Sequence, residues 1–479
     1  MLFNMKRILL SGWILFMFSL IAQAKVELPS LFADNMVLQQ NSSAAVWGKA
    51  DPRTKIVITT TWSKAKTTVM ADDNGKWMAR IDTPTAGGPY EMTFNDGDKL
   101  TIKNILIGEV WICSGQSNMA QPMKGYMGQP TAEAVDYITE ATPDVPIRSC
   151  NLKRQVSITV MDECPAQWYV HDAVGVSEAS AVAYFFAHKI YKQLGVPVGI
   201  INASWGGTPI EAWMNPELLK SEFSKELNID HLYKMELPKK KPHQTGGVLY
   251  NGMLHSLIPF TAKGFLWYQG CHNRKQFEQY KGLQKAFAQM LRKEWGNEEM
   301  PFYFTQIAPY KYDDPNQPHA GYMMWAQAQT LDMIPRSGMA ATHDAGEIAC
   351  IHPANKKVVG DRLAFLALTN DYGMKGFDAE PPIPSGFIFQ DGAALVSFNC
   401  GQMGIGPINV EISGFELAGE DKIFHPATAM VQKDKKSIKV SSPNVSNPVA
   451  VRYGMKNWST ATLFNNFGIP ATPFRSDNW

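Results

Sequence analysis

Two side chains far apart in this chain, Ser117 and His352, have the types and settings that acyl-transfer chemistry needs. Ser117 lies in Gly115-Gln116-Ser117-Asn118-Met119, directly after the apolar run 105–113, which reads as a buried parallel strand. A hydroxyl is a weak nucleophile until a base lies within hydrogen-bond reach and donors await the oxyanion. A strand-to-helix turn meets part of that need, because it exposes the hydroxyl and leaves backbone N–H groups unused. Serine ahead of a helix is also an ordinary N-cap, so the weight toward catalysis comes from the other blocks. His352 sits in Ile351-His352-Pro353, just before the periodic stretch 355–368. A neutral imidazole takes a hydroxyl proton near pH 7 and returns it to a leaving alcohol. A lone histidine is more often structural, and His255, His272 and His343 lack this loop-to-helix setting. Between the two residues, Gly206-Gly207 permits close backbone approach. With the Ser117 N–H it supplies donors for an oxyanion.

These blocks resemble the SGNH-type esterases, and within them the sialate O-acetylesterase family of carbohydrate acetylesterases. The matching pieces are 111–119, 203–213, Leu249-Tyr250-Asn251-Gly252-Met253, Trp267-Tyr268-Gln269-Gly270, and Ile351-His352-Pro353 with Asn355-Lys356. Segments 31–40 and 470–475 extend the likeness to both ends of the mature chain. The resemblance implies a three-layer, flavodoxin-like parallel sheet. It also implies Ser117 as nucleophile, His352 as base, and the Gln269 side-chain amide as an oxyanion donor beside Ser117, Gly206 and Gly207. The implied reaction removes O-acetyl groups from sialic acid through an acetyl-serine, with no metal or cofactor. Acetylated xylan or another plant polysaccharide is the alternative substrate for the same residues.

Two departures fall beside the histidine. Relatives usually carry Gln-Gly-Glu where this chain has Gln269-Gly270-Cys271, and many carry Asp-Ile-His-Pro where it has Cys350-Ile351-His352-Pro353. A neutral thiol does not stabilise an imidazolium as a carboxylate does, and losing the orienting acid costs about 10⁴ in kcat where the wrong tautomer results. Three accounts stay open. Asp344 or Glu347, just ahead of His352, takes over; or a Ser–His dyad works with a backbone carbonyl holding the ring; or the protein is a degenerate esterase that only binds glycans. Since both cysteines are expected next to His352, a Cys271–Cys350 disulfide bracing its loop is a further expectation, set against two small buried thiols.

The elements that must position these residues follow from periodicity. Residues 25–104 read as a small β-sandwich, with runs at 44–47, 55–62, 67–70, 77–81 and 90–94. Asp73-Asn74-Gly75 and Asn95-Asp96-Gly97 are hairpin-type punctuation between them. Residues 105–375 alternate strands (105–113, 198–204, 263–268, 302–307, 338–343) with helices such as 181–194 and 277–295. That alternation predicts a parallel sheet covered on both faces, with a site at the strands' C-terminal ends. Short runs at 386–390, 394–398, 408–412, 428–432 and 449–453 predict a second β region over 376–479, packed on the first. Segment 120–175 shows no period and reads as a loop bordering the pocket.

Composition sets the outer limits. Lys6 and Arg7, the apolar core 8–21 and Ala22-Gln23-Ala24 read as a secretory signal over 1–24, and hence export to the periplasm or medium. Removing those two bases takes the formal charge from +1 to −1. A near-neutral chain without a basic stripe argues against nucleic acid as partner. No later apolar run is long enough to span a bilayer, so no membrane association is expected after cleavage. The 13 Trp and 16 Tyr suit a sugar site, although core packing accounts for most such rings. Six cysteines without a CxxC spacing argue against zinc; Cys150 and Cys164 are a second candidate pair. Oligomeric state is not legible.

Overall fold

Alternate residues of one long strand point into two different apolar layers, and this organises the centre of the molecule. Trp111 and Cys113 pack with Val182, Phe186, Leu363 and Leu366. Val110 and Ile112 pack with Phe265, Leu283, Phe287 and Leu291. Such a strand needs cover on both faces, which is the signature of a parallel sheet between helices. Residues 26–312 and 317–479 are described in the computed structural model. The expected signal segment lies outside them.

The strands of the central sheet are β1 (Lys99–Gly115), β2 (Ile147–Leu152), β3 (Ala166–Tyr169), β4 (Val198–Ser204), β5 (Gly264–Tyr268), β6 (Phe302–Thr305) and β7 (Ser337–Ala340). They lie in the order β7-β6-β5-β1-β4-β2-β3. Every neighbouring pair is parallel except β2 with β3. The helices that matter are α1 (Ser117–Ala120), α2 (Ala181–Leu194), α3 (Val248–Gly252), α4 (Phe277–Trp295), α5 (His319–Gln329) and α6 (Lys356–Asn370). Helices α2 and α6 cover one face of the sheet and α4 the other. A fully buried ring such as Phe186 contributes about 1.5–3 kcal/mol to holding a layer in place.

The helix ends are locally encoded. Ser180 caps α2 by accepting from Ala183 N–H, and its hydroxyl also donates to the Met119 carbonyl at 2.6 Å, tying α2 to the turn that carries Ser117. Helices α2 and α4 each stop at a glycine in the left-handed region, Gly195 and Gly296. Asn355 Oδ1 caps α6 through Val358 N–H.

Two expectations need correction, and one strand crosses an expected boundary. Residue 104 falls inside β1. The first half of that strand pairs antiparallel with 87–95, through the Asn95-Asp96-Gly97 hairpin, and its second half pairs parallel with β4 and β5. One ladder therefore runs from the N-terminal β region into the central sheet. Asp73-Asn74-Gly75 does not close a hairpin. It joins Ser63–Met70, paired with Lys55–Thr60, to Lys76–Thr83, paired with Ser42–Lys49. The 408–412 run is not a strand, since Ile412–Ala418 begins only at its end. Pro407 brings no N–H, and Asn409 lies at φ 60°. The C-terminal region is a seven-stranded antiparallel sheet with its own apolar core, seated against α5 and the loop after β7.

Candidate active site

Gly115 ends β1 at φ 137°, and a Cβ there would lie 2.2 Å from the Tyr268 carbonyl oxygen at the end of β5. Only glycine lets the chain turn this close to its neighbour strand. The turn delivers Ser117 to the first position of α1, half-buried, with Gln116 N–H bonded to Tyr268 O at 2.9 Å. The loop after β7 delivers His352. Its Nε2 lies 2.7 Å from Ser117 Oγ, a contact spanning 235 residues of sequence.

The other imidazole nitrogen answers the question left open by the two cysteines. His352 Nδ1 lies 2.6 Å from Gln129 Oε1. An amide oxygen only accepts, so Nδ1 carries the hydrogen and Nε2 presents its lone pair to the serine hydroxyl. Gln129 is held in turn by a two-way backbone bridge to Tyr126 and by the buried Gln121, whose Nε2 donates to the Gln129 and Pro130 carbonyls. The group that orients the base is thus a neutral amide. The Tyr126 ring stands edge-on to His352 at 5.4 Å, and its hydroxyl donates to the Ser117 carbonyl.

Asp344 and Glu347 do other work. Asp344 forms a forked pair with Arg362, and Glu347 accepts from Ala354 N–H at 2.6 Å. Neither holds the imidazole. Nor does a backbone carbonyl, since Nδ1 is occupied by the glutamine. All six cysteines are free thiols, so no Cys271–Cys350 bridge braces the loop, and Cys150 and Cys164 are likewise unbonded. Cys350 donates to the His352 carbonyl at 3.1 Å. Burial raises the Cys271 thiol above its usual range.

Gly206 follows β4 and lies directly beside Ser117; a Cβ on it would come within 3.2 Å of Ser117 Cβ. Among the described residues the N–H groups of Ser117, Gly206 and Gly207 make no hydrogen bond, which leaves them as donors for an anionic oxygen. Gln269 takes a different position from the one expected. Its Nε2 donates to Thr208 O at 3.1 Å and to Asn273 Oδ1 at 2.7 Å, so both amide hydrogens are committed to bracing the 206–210 turn. Asn273 extends the brace, accepting from Ile210 N–H and donating to Glu211 Oε2. Burial raises the Glu211 carboxyl above its usual range. Of the tryptophans near these blocks, Trp213 and Trp267 are fully buried packing, while Trp205 is half-exposed and stacks on His243. His343 is buried and bonded to Ser459, away from the nucleophile.

A buried lysine joins the two halves of the site. Lys356 is 1% exposed, and its Nζ donates to Asn118 Oδ1 at 2.6 Å and Pro353 O at 2.8 Å. Asn118 Nδ2 donates in turn to Ile351 O. The residue after Ser117 is thereby clamped to the residues flanking His352. Burial lowers the Lys356 ammonium to about 7. Burial first, and the Lys356 charge second, lower His352 to about 4. The base must be neutral to act, so activity is expected to hold from pH 7 down to about 5 and to be half lost near pH 4. In Lys356→Met the acidic limb moves to higher pH, because a charge that opposes the imidazolium is gone. A kcat/KM profile of the two proteins checks both statements; an unshifted limb in the variant contradicts the second.

Among the described residues no three His, Cys, Asp or Glu side chains gather as metal ligands, and no helix is long and apolar enough to cross a membrane. The family model for carbohydrate esterases described as sialic acid-specific acetylesterase matches residues 107–366. The sialate O-acetylesterase of Mus musculus is 26% identical over 92% of this chain and 93% of its own length. That of Homo sapiens is 28% identical over 74% and 73%. Among solved structures, a carbohydrate acetylesterase from Xanthomonas citri is 32% identical, covers 95% of this chain and 100% of its own, and superposes with a TM-score of 0.85.

Proposed function

The chain belongs to the sialic acid-specific acetylesterase family of carbohydrate esterases and is a carboxylic ester hydrolase; on that premise we propose that Ser117 and His352 remove O-acetyl groups from sialic acid through an acetyl-serine. The observation that carries the reading is the 2.7 Å contact between Ser117 Oγ and the unprotonated Nε2 of His352. Ser117 Oγ attacks the acetyl carbonyl while Nε2 takes its proton. The tetrahedral oxyanion is met by the N–H groups of Ser117 and the Gly206-Gly207 turn. Collapse expels the sugar oxygen, which receives the proton from Nε2. Water then gives a proton to Nε2 and attacks the acetyl-serine; collapse breaks the bond to Ser117 Oγ, which takes that proton back from Nε2, and acetic acid leaves and ionises to acetate. An intact nucleophile–base pair speaks against a degenerate, purely glycan-binding protein.

The same reading treats 105–375 as an SGNH-type, flavodoxin-like esterase unit flanked by β regions over 25–104 and 376–479. It treats 1–24 as a signal for export to the periplasm or medium. An O-acetylated neutral polysaccharide is the second substrate for the same residues: the Xanthomonas citri relative, at 32% identity, is named a carbohydrate acetylesterase with no sugar specified. Acetate release from an O-acetylated sialoside and from acetylated xylan, run in parallel, decides between them. The sialoside is expected to be the better substrate by tenfold or more in kcat/KM. A tenfold preference for xylan would overturn the substrate assignment and leave the esterase chemistry standing.

A further inference from the structure

The Leu249-Tyr250-Asn251-Gly252-Met253 block makes no contact with the reacting groups, yet it does something definite. It forms α3 and the residue after it, and it holds the loop that follows β2. Ser157 N–H bonds to Val248 O, Met161 N–H bonds to Asn251 O, and the buried Asn251 side chain donates to Ile158 O at 2.8 Å. The loop passes so close that a Cβ on Gly252 would lie 2.4 Å from the Gln155 carbonyl oxygen. A loop pinned at this many points carries its side chains to fixed places.

The side chain it carries toward the nucleophile is Arg154. The guanidinium lies against the Tyr126 hydroxyl, which itself touches Ser117 and whose ring faces His352. The Arg154 charge also bears on His243, which stacks on Trp205 with ring centroids 5.0 Å apart and planes 6° apart. Trp205 immediately precedes Gly206 and donates its N–H to the Gly115 carbonyl, so this aromatic pair borders the nucleophile turn. Arg154 is exposed, and among the described residues it forms no ion pair with a carboxylate. Lys241 adds a second positive charge beside His243. An exposed guanidinium without an acidic partner, on a pinned loop beside the site, is suited to a planar carboxylate, which it holds by two parallel hydrogen bonds.

We propose that Arg154, with Tyr126 behind it, is a carboxylate subsite that selects acidic O-acetylated sugars, and that the Leu249–Met253 block serves to fix it there. The inference rests on the sialic acid reading above and gives it a specificity-determining residue. Its test is inhibition of 4-nitrophenyl acetate hydrolysis by free N-acetylneuraminic acid and by its carboxyl methyl ester, in wild type, Arg154→Met and Arg154→Lys. The acid is expected to inhibit wild type at least tenfold more tightly than the ester. That advantage should vanish in Arg154→Met and return in part in Arg154→Lys, while the ester inhibits all three alike. Equal inhibition of wild type by acid and ester would overturn the proposal. So would an acid advantage that survives Arg154→Met. Turnover of the acetylated sialoside is followed separately. Selective inhibition without sialoside turnover would sink the substrate assignment and keep the carboxylate subsite; turnover without selectivity would do the reverse.

Discussion

Replacing Ser117 by alanine is expected to lower acetate release by roughly 10⁴- to 10⁶-fold, leaving only what oxyanion donors and substrate binding accomplish without a covalent path. That loss corresponds to about 5–8 kcal/mol of transition-state stabilisation. It should come without a comparable loss of stability. Among the described residues the Ser117 hydroxyl bonds only to His352, while its backbone carbonyl keeps the Tyr126 hydrogen bond. Gln116, not Ser117, stands at the cap of α1 and makes no side-chain capping bond. A half-buried hydroxyl in such a place is worth within about 0.5 kcal/mol. Unfolding midpoints of the two proteins measured beside acetate release separate lost chemistry from lost fold.

The second large effect concerns Gln129. In Gln129→Ala the imidazole loses the acceptor that fixes its tautomer and its plane, and kcat is expected to fall by roughly 10²- to 10³-fold with KM little changed. The backbone bridge between Tyr126 and Gln129 and the Gln121 hydrogen bonds do not use the side chain, so the loop should stay in place. Gln129→Glu tests the electrostatic half of the account. A carboxylate 2.6 Å from Nδ1 would favour the imidazolium. It would therefore raise His352 above about 4 and move the acidic limb of the pH profile upward. An amide gives orientation and a dipole but no countercharge, so the glutamate variant is also expected to exceed wild type in kcat on the alkaline side of that limb. Stopped assays of both variants from pH 4 to 8 supply the numbers. Wild-type kcat in Gln129→Ala would contradict the role given to the amide.

What the sequence disclosed and what it hid divide along physical lines. Ser117 and His352 were legible because each sits in a short block whose local geometry, strand-to-turn or loop-to-helix, is written in adjacent residues. The helices at 181–194 and 277–295 were legible for the same reason, since periodicity and a glycine stop are local signals. Gln129 was not, because its contact with His352 joins residues 223 apart and no spacing rule links a glutamine in an aperiodic stretch to a distant imidazole. That stretch also concealed β2 and β3, two short strands without clean alternation. Hydrogen bonding runs through residue 104, where composition changes, because composition does not report a ladder. The expected Cys271–Cys350 bond is absent, and Cys350 instead donates to the His352 carbonyl. Lys356 was visible as part of the family pattern, but its burial and its hold on Asn118 exist only in the folded chain.

The central claim is that Ser117 carries the acetyl group between substrate and water. Rapid mixing with excess 4-nitrophenyl acetate, acid quench within the first turnover and peptide mass analysis test it directly. The account predicts one added acetyl group on the peptide containing residues 115–119, at Ser117, and none in the Ser117→Ala protein. An acetyl group on Cys271 or Cys350 instead, or turnover with Ser117 unmodified throughout, would contradict it.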